Sequence, residues 1–500
     1  MSSVKCLTSK KVSSFCLFTY LLFFVAVLLF FGLAYPHHLH YQEQYQLFLF
    51  DSTYVWEIVK QPGGVADLLG RFCTQFFLFA WVGALIIALL LTAVQLLMRQ
   101  FVACGWLYGL SFVPSFLLWL FLLDENALLS GVWAVLLTLL AAWVIVRLTG
   151  GWTRRILLIA AIPILYILVG PVCFPIPVDS LWYGIHYYRY PTVFPWLLWG
   201  AALLVWIIIA VKITPFAAKV STPLSHREGL GLGLFLIVAI VMGTLVRRNA
   251  NFKAEKVMQY DFMATHQQWN RILETINKEK PNNQIGVTVQ NLALAMHGML
   301  LDHLADYNQN GIAGLLPDVN TDATSPLPTA EAFYQLGMIN VAQRTVFEAQ
   351  EAILDFQKSG RCYKRLAQTN LINGQYAVAR KYLVALQKTL FYRDWANETL
   401  PLLGNEEAIA KHPEYGRLRQ SAYKEDLTFS RTSSRSAISS ELDGSRLTGD
   451  FYFSDHVTPE MLEILYYHNT DNRLAYQYLL AYYMLTGDRE RYNHFISKEQ

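Results

Sequence analysis

Charge is scarce in the first half of this sequence. Residues 1–246 contain 13 Lys/Arg and 8 Asp/Glu, whereas residues 247–500 contain 27 and 29. The whole chain is 54% hydrophobic, only 15% charged, and carries a net charge of +3. This composition excludes an intrinsically disordered protein, and the small net charge gives no reason to expect nucleic acid as a partner. The chain therefore divides near Val246 into a very apolar part and a part of ordinary composition.

Cysteine is also scarce, and it is concentrated in the apolar part. Of the six cysteines, only Cys362 follows residue 246, so no disulfide can form within the second half. No C-x-x-C pair occurs, which removes the usual signal for structural zinc or dithiol redox chemistry. The second half also lacks a catalytic-triad spacing and a phosphate-binding glycine loop. We therefore expect no cofactor and no metal.

Seven apolar stretches in the first half are long enough to cross a bilayer as helices, which takes roughly 20 residues. None contains Asp, Glu, Lys, Arg or His. The predicted spans are 14–35, 73–98, 101–123, 127–146, 156–174, 193–211 and 230–246. An ion-coupled transporter needs ionisable groups at membrane depth, so this class is disfavoured. In the last span, Gly231, Gly233 and Gly243 predict close packing against a neighbouring helix.

The cations in the short loops predict the orientation. With the N-terminus in the cytoplasm, ten Lys/Arg lie on the inner side and three on the outer side. Seven spans would then place residues 251–500 outside the inner (plasma) membrane, although Arg247 and Arg248 favour the opposite arrangement. The first span has no cleavage site before Pro36, so we expect it to remain as an anchor.

The two long outer loops are the expected place for any active site. Residues 36–72 mix apolar and polar side chains, and Leu47, Phe48 and Ile58 belong to a predicted apolar face of a helix lying in the membrane interface. Residues 175–192 are rich in Trp and Tyr, which favour the headgroup level. Both loops are therefore predicted to contact membrane lipids.

Four polar residues of these loops are candidates for chemistry. Glu43 follows the first span closely and could act as a general base facing the outer leaflet, with Asp179 as a second catalytic candidate. Arg189 together with His186 could bind a phosphate of a substrate, since a guanidinium offers two parallel donors. The alternative is that Glu43 solvates a surface helix and that Arg189 reaches lipid headgroups.

A histidine cluster precedes Glu43. His37, His38 and His40 form an H-H-x-H pattern whose spacing matches no structural zinc site. Contact with lipid headgroups is the preferred interpretation, and metal binding stays open as the alternative.

Two family resemblances rest on these motifs. The first span, the acidic E-Q-Y context of Glu43–Tyr45, the amphipathic segment, Pro62-Gly63-Gly64 and the second span resemble the opening of GT-C type polytopic glycosyltransferases. That resemblance implies transfer from a lipid-phosphate sugar, with Glu43 at the position of the acidic residue. The whole chain resembles a bacterial domain-of-unknown-function family of multi-pass membrane proteins, which implies no activity.

Residues 251–500 are predicted to form an exported all-α domain. Between Tyr363 and Leu383, small and aromatic residues follow the spacing of a tetratricopeptide (TPR) helix pair, and related patterns occur at 269–281, 336–349 and 476–496. Loops are predicted at 308–329 and 427–450. Stacked helix pairs create a surface for a partner, which favours binding of a protein. The alternative is a helical cap that covers the outer loops without a partner.

The sequence thus predicts an all-α protein: a seven-helix transmembrane bundle, residues 1–246, followed by a TPR-like repeat domain. The favoured function is binding of a protein or an envelope polymer by the exported domain. The competing hypothesis is a GT-C-like glycosyltransferase that uses Glu43 as its base.

Overall fold

The structure, a computed structural model, divides the chain into two compact units. They are the N-terminal unit, Met1–Phe252, and the C-terminal unit, Lys253–Gln500. The residues described are 14–61, 63–101, 105–148, 224–317, 326–353, 357–423, 429–430, 452–453 and 458–499, with isolated helical positions at 157, 158, 168 and 172. Each unit is described by itself below.

The described part of the N-terminal unit is helical. Its helices are α1 (Ser14–Leu29), α2 (Pro36–Glu43), α3 (Ser52–Val59), α4 (Gly64–Thr74), α5 (Ala80–Phe101), α6 (Val113–Phe121), α7 (Leu129–Leu148) and α8 (Leu224–Asn249). A π-helical turn, Phe30–Ala34, continues α1, and a 3-10 turn, Gln75–Leu78, leads into α5. A 3-10 helix, Gly105–Phe112, precedes α6.

Within the described residues, three helices are long and apolar enough to cross a membrane. They are Leu17–Ala34, Ala80–Phe101 and Gly231–Asn249, and they overlap the predicted spans 14–35, 73–98 and 230–246. Only 28% of the first and of the third is buried inside the protein. Most of their apolar side chains therefore face outward, as in helices that contact lipid.

Of the five predicted spans within the described residues, two are not helices of membrane-spanning length. The predicted span 101–123 is a 3-10 helix followed by α6, and Pro114 lies in the first turn of α6. Proline has no N–H and fits best at a helix start, so one uninterrupted α-helix does not form there. The predicted span 127–146 is α7, whose apolar part is also shorter than a full span. The predicted spans 156–174 and 193–211 lie outside the described residues.

Two glycines allow helices of the N-terminal unit to approach closely. A Cβ atom on Gly109 would lie 2.5 Å from the backbone nitrogen of Phe235, where the 3-10 helix packs on α8. A Cβ on Gly70 would lie 2.7 Å from the backbone nitrogen of Ser130, where α4 packs on α7. By contrast, a Cβ on Gly233 or Gly243 would contact no described residue within 4 Å. Among the described residues, α8 therefore makes no close contact through those two glycines.

The described part of the C-terminal unit is also mainly helical. Its α-helices are α9 (Phe252–Thr265), α10 (Trp269–Glu279), α11 (Gln284–Met296), α12 (Leu300–His303), α13 (Pro326–Leu336), α14 (Ile339–Ala352), α15 (Gly360–Ile372), α16 (Tyr376–Gln387), α17 (Arg393–Thr399), α18 (Glu406–Lys411), α19 (Pro413–Ser421), α20 (Pro459–His468), α21 (Arg473–Thr486) and α22 (Arg489–Glu499). Short 3-10 turns lie at Leu304–Asp306, Ile312–Gly314 and Leu400–Leu402. Two strands, Phe429–Ser430 and Tyr452–Phe453, pair antiparallel with Phe429 opposite Phe453.

Consecutive helices of the C-terminal unit pack against each other in pairs. Examples are α13 with α14, α15 with α16, and α21 with α22. The turns of these pairs contain Gly337, Gly374 and Gly487, each with positive φ, a conformation that side chains with a Cβ rarely adopt. The largest apolar core connects α11, α13, α14, α15, α20 and α21. Apolar residues at helical spacing thus form the core between the helices, and glycine allows the turns that connect them.

The two predicted loops of this half differ from the structure in part. In 308–329, Ile312–Gly314 form a 3-10 turn and α13 already begins at Pro326, a favoured first residue of a helix. The last four residues of that predicted loop are therefore helical. Residues 318–325 and most of 427–450 lie outside the described part.

Candidate functional site

Only one of the four predicted site residues lies in the described part of the chain. Asp179, His186 and Arg189 are outside it. Glu43 is the last residue of α2, and its side chain is buried. The candidate site is therefore built around the end of α2.

Helix α2 is attached to the loop that joins α6 to α7. The Nε2 atom of His38 donates to the carbonyl oxygen of Leu122 at 2.9 Å. Four residues later, Nε2 of Gln42 donates to the carbonyl oxygens of Asp124 at 3.3 Å and Ala127 at 3.2 Å. Residues four apart lie on one face of a helix, so this face of α2 contacts the loop.

This arrangement corrects the orientation of three side chains of the apolar face predicted in residues 36–72, while Phe50 of that face is 46% exposed. Leu47, Phe48 and Ile58, members of the predicted lipid-facing surface, are all buried within the protein. On α3 the exposed apolar side chain is Trp56, at 67%. Glu43 is likewise buried rather than solvating a surface helix. Helix α3 packs against α4, and the apolar pattern did not specify this partner.

The histidine cluster is divided by burial. His38 is buried, and burial lowers its pKa from 6.5 to about 4. The hydrogen bond to Leu122 raises the pKa, but by less than burial lowers it. His38 is therefore neutral at pH 7 and serves to hold α2 in place. The rings of His37 and His40 lie 5.6 Å apart. Among the residues described, no group of three His, Cys, Asp or Glu side chains is arranged to hold a metal ion.

A small cleft lies at the end of α2. It has room for about one water molecule, and its lining includes Gln42, Tyr45, Gln46, Thr74 and Asn126. The carboxamide of Gln46 is buried, and its Oε1 and Nε2 atoms have no hydrogen-bond partner in the described part of the chain. Such a cleft can accept a polar group. No sequence pattern predicts this cleft, because its walls come from segments about 80 residues apart.

A buried ion pair supports α4. Arg71 donates through Nε to Asp67 at 2.6 Å, and both side chains are more than 90% buried. Arg71 also donates to the hydroxyl of Tyr54 on α3 at 3.4 Å. Burial alone would lower the pKa of Arg71. The interactions with Asp67 and Tyr54 have the larger combined effect, so the pKa of Arg71 is raised. The i, i+4 spacing of the pair was a readable signal that the sequence analysis missed.

A second cluster of buried charged side chains lies in the C-terminal unit. Arg361 donates to both carboxylate oxygens of Asp261, at 2.6 and 2.8 Å. On the same helix, Arg365 forms an ion pair with Glu331 and lies 3.7 Å from the ring centre of Tyr334. These cations are compensated by acidic partners, so the arrangement joins α15 to α9 and α13 and offers no open catalytic group.

The outer surface of α16 has a different composition. Arg380 and Lys381 are exposed, and Val378 and Val384 are 38% and 41% exposed beside them. The helix contains no Asp or Glu. We call these four residues the basic-apolar face of α16. It could contact a partner that carries acidic and apolar groups together.

Comparison with known proteins adds one finding. No curated protein matches the chain, and no solved structure matches it. The model of a family described as a family of unknown function, DUF6057, matches residues 10–499. Because this match extends over nearly the whole chain, across both units, the protein belongs to the DUF6057 family.

Proposed function

We propose that this protein is a membrane-anchored binding protein, whose C-terminal helical unit binds a protein or an envelope polymer. Three helices of membrane-spanning length support the anchor. The C-terminal unit, which we interpret as TPR-like and exported, supplies the binding surface. In this proposal the protein lies in the inner membrane, with its N-terminus in the cytoplasm.

The observation that carries the proposal is the basic-apolar face of α16. Surface helices usually combine cations with acids, but α16 exposes Arg380 and Lys381 beside two valines without an acidic residue. Its opposite side is fixed by buried Ala379 and Leu383, so the exposed face is held rigidly. A rigid surface loses little conformational entropy when a partner binds. The matching partner carries acidic groups next to apolar ones.

Cross-linking in intact cells tests this proposal. A photoreactive residue at position 384 of the full chain should give a defined cross-linked product. The double change Arg380→Gln and Lys381→Gln should remove it, whereas the matched change Arg271→Gln and Lys278→Gln, on exposed cations of α10, should not. A product that survives the first change, or the absence of any product, contradicts binding through this face.

Deletion and topology experiments test the remaining parts. Removing residues 253–500 should cause the same cellular defect as removing the whole protein. A reporter fused after residue 500 should be active only outside the cytoplasm. Retained function after the deletion contradicts the binding proposal, and a cytoplasmic reporter contradicts the proposed orientation.

A second candidate function is a GT-C-like glycosyltransferase with Glu43 as general base, assisted by Asp179, His186 and Arg189. The observation in its favour is that Glu43 is buried and lies in sequence between cleft residues Gln42 and Tyr45. Burial can prepare a carboxylate for acid–base catalysis.

Paired carboxylate variants test this candidate. Glu43→Gln should abolish transfer from a lipid-phosphate sugar, while Glu57→Gln, at an exposed position of α3, should leave it unchanged. If the Glu43→Gln protein restores full function in cells, the enzymatic candidate is wrong.

A further inference from the structure

Helix α4 presents apolar side chains to its surroundings. Val65 and Phe72 are exposed, and Leu68 and Leu69 between them are half-buried. These four positions follow the i, i+3, i+4, i+7 spacing of one side of a helix. We call them the outer face of α4. On a helix that contacts water, polar and charged side chains usually occupy this side, so the outer face of α4 has the composition expected of the inner one.

The charged side chains of α4 lie on its opposite, inner side. Asp67 and Arg71 form the ion pair described above, and both are buried. Gly70 lies on the same side, where its close approach to Ser130 brings α7 against the helix. Because removing charges from water is costly, a helix at a water-exposed surface normally turns them outward. In α4 the usual distribution of polar and apolar side chains is therefore inverted.

Helix α10 of the C-terminal unit offers a comparison of equal length. Each of the two helices has 11 residues. Helix α10 buries Ile272 and Ile276 and exposes Arg271, Glu274 and Lys278, as expected for a helix with one side in water. The same protein thus contains both arrangements. The outer side of α4 matches an apolar environment and not an aqueous one.

The outer face of α4 continues into the exposed surface of α5, a helix of membrane-spanning length. The ring of Phe72 lies 5.6 Å from that of Phe76, which belongs to the 3-10 turn leading into α5. Phe79 and Trp81 follow at the start of α5, and both are exposed. Aromatic side chains at the end of a membrane helix favour the level of the lipid headgroups. An apolar surface that joins them on α4 is placed to contact the same lipid.

We infer that α4 is inserted into one leaflet of the membrane, with its outer face against lipid acyl chains and its ion pair turned towards the protein. Its 11 residues extend about 16 Å, whereas a hydrocarbon core is about 30 Å thick, so the helix does not cross the membrane. The outer face contains no cation for a phosphate, and acyl chains are the part of a lipid that it matches. This inference rests on the proposed membrane location and adds a lipid contact that no spanning helix provides.

Spin labels on the full chain in phosphatidylcholine nanodiscs test this inference. A ketone-bearing residue that carries a nitroxide replaces Val65 in one variant, Leu89 of α5 in a second and Glu274 of α10 in a third, so the native cysteines stay in place. Oxygen is concentrated in lipid, whereas a nickel chelate stays in water. We expect the labels at positions 65 and 89 to collide mainly with oxygen, and the label at position 274 to collide mainly with the nickel chelate.

The possible results separate this inference from the membrane location itself. If position 65 collides mainly with the nickel chelate while position 89 does not, α4 lies in water and only the inference fails. If position 65 is shielded from both reagents, another segment or a second copy covers the outer face, and the inference is also overturned. If position 89 collides mainly with the nickel chelate, the proposed membrane anchor fails together with it.

An acidic substitution at the start of α4 gives a second test whose sign depends on the surroundings. In water, aspartate in the first turn favours a helix, so Val65→Asp would maintain or raise the midpoint of chemical unfolding. In lipid the new charge is costly, so Val65→Asp in nanodiscs should lower the midpoint. The matched change Asn270→Asp, at the second residue of α10, should not lower it. An unchanged or raised midpoint for Val65→Asp overturns the inference.

Discussion

Acid should destabilise the N-terminal unit through one buried histidine. His38 is almost completely buried, and its Nε2 donates to the carbonyl oxygen of Leu122. Burial lowers its pKa from 6.5 to about 4. In the unfolded chain the ring is exposed and takes up a proton near pH 6.5, so the unfolded state binds more protons between pH 6.5 and 4. The stability contributed by neutral His38 is therefore complete above pH 6.5 and is lost as the pH falls towards 4.

The size of this loss follows from the two pKa values. At about 1.4 kcal/mol for each pH unit, a fall from 6.5 to about 4 corresponds to about 3 kcal/mol of unfolding free energy. This is a large part of the 5–15 kcal/mol, roughly, that stabilises a typical domain. The loss should be visible as a lower midpoint of chemical unfolding in mild detergent at pH 4 than at pH 7.

The variant His38→Gln isolates this contribution. Glutamine can still donate to the carbonyl of Leu122, but it does not titrate. Other acidic and basic groups affect both proteins equally, so the wild type should lose about 3 kcal/mol more than the variant between pH 6.5 and 4. If both proteins lose stability in parallel over this range, burial of a neutral His38 is not the cause, and the reasoning is refuted.

Three further changes test the packing of the two units, each by chemical unfolding of the full chain. Arg361→Leu leaves Asp261 buried without its bidentate partner and should lower the free energy of unfolding by about 3–5 kcal/mol. Adding Asp261→Leu should restore much of this stability, and a double variant without recovery contradicts the pairing. Gly337→Ala should cost about 1–3 kcal/mol more than Gly487→Ala; both have positive φ, but only at Gly337 would the Cβ lie 2.6 Å from a backbone oxygen. Gly109→Ala should force the 3-10 helix away from α8 and lower the unfolding midpoint of the N-terminal unit, while alanine at the open glycines of α8 should not.

Hydropathy located apolar helices in the sequence but not their internal geometry. The stretch 101–123 is apolar throughout, and the average does not reveal that a 3-10 helix precedes Pro114. The close approach of this stretch to α8 depends on Gly109, whereas the sequence analysis assigned it to glycines of α8 itself. A glycine is informative only once the segment facing it is known. That pairing depends on tertiary structure, which a single sequence does not report.

Turn glycines in the C-terminal unit were more informative. Gly374 follows a run of apolar residues at helical spacing and precedes another, and the structure places it between α15 and α16 with φ of 75°. Here the requirement is local, because a helix that ends in a left-handed residue favours glycine. Local requirements of this kind can be read from one sequence.

The candidate site shows the opposite case. The sequence points to Glu43 because it follows the first span, but it does not show that this side chain is buried. The carbonyls that hold α2 belong to Leu122, Asp124 and Ala127, and a backbone carbonyl carries no residue-specific signal. Gln46, whose side chain is also buried, does not differ in the sequence from the neighbouring glutamines.

The extent of the family match bears on how the two units work. A single family model matches residues 10–499, including both the apolar N-terminal unit and the helical C-terminal unit. A soluble binding domain alone would not require helices of membrane-spanning length. We therefore expect the two units to serve one activity at the membrane. Loss of cross-linking in Arg380→Gln/Lys381→Gln should consequently cause the same cellular defect as loss of the whole protein.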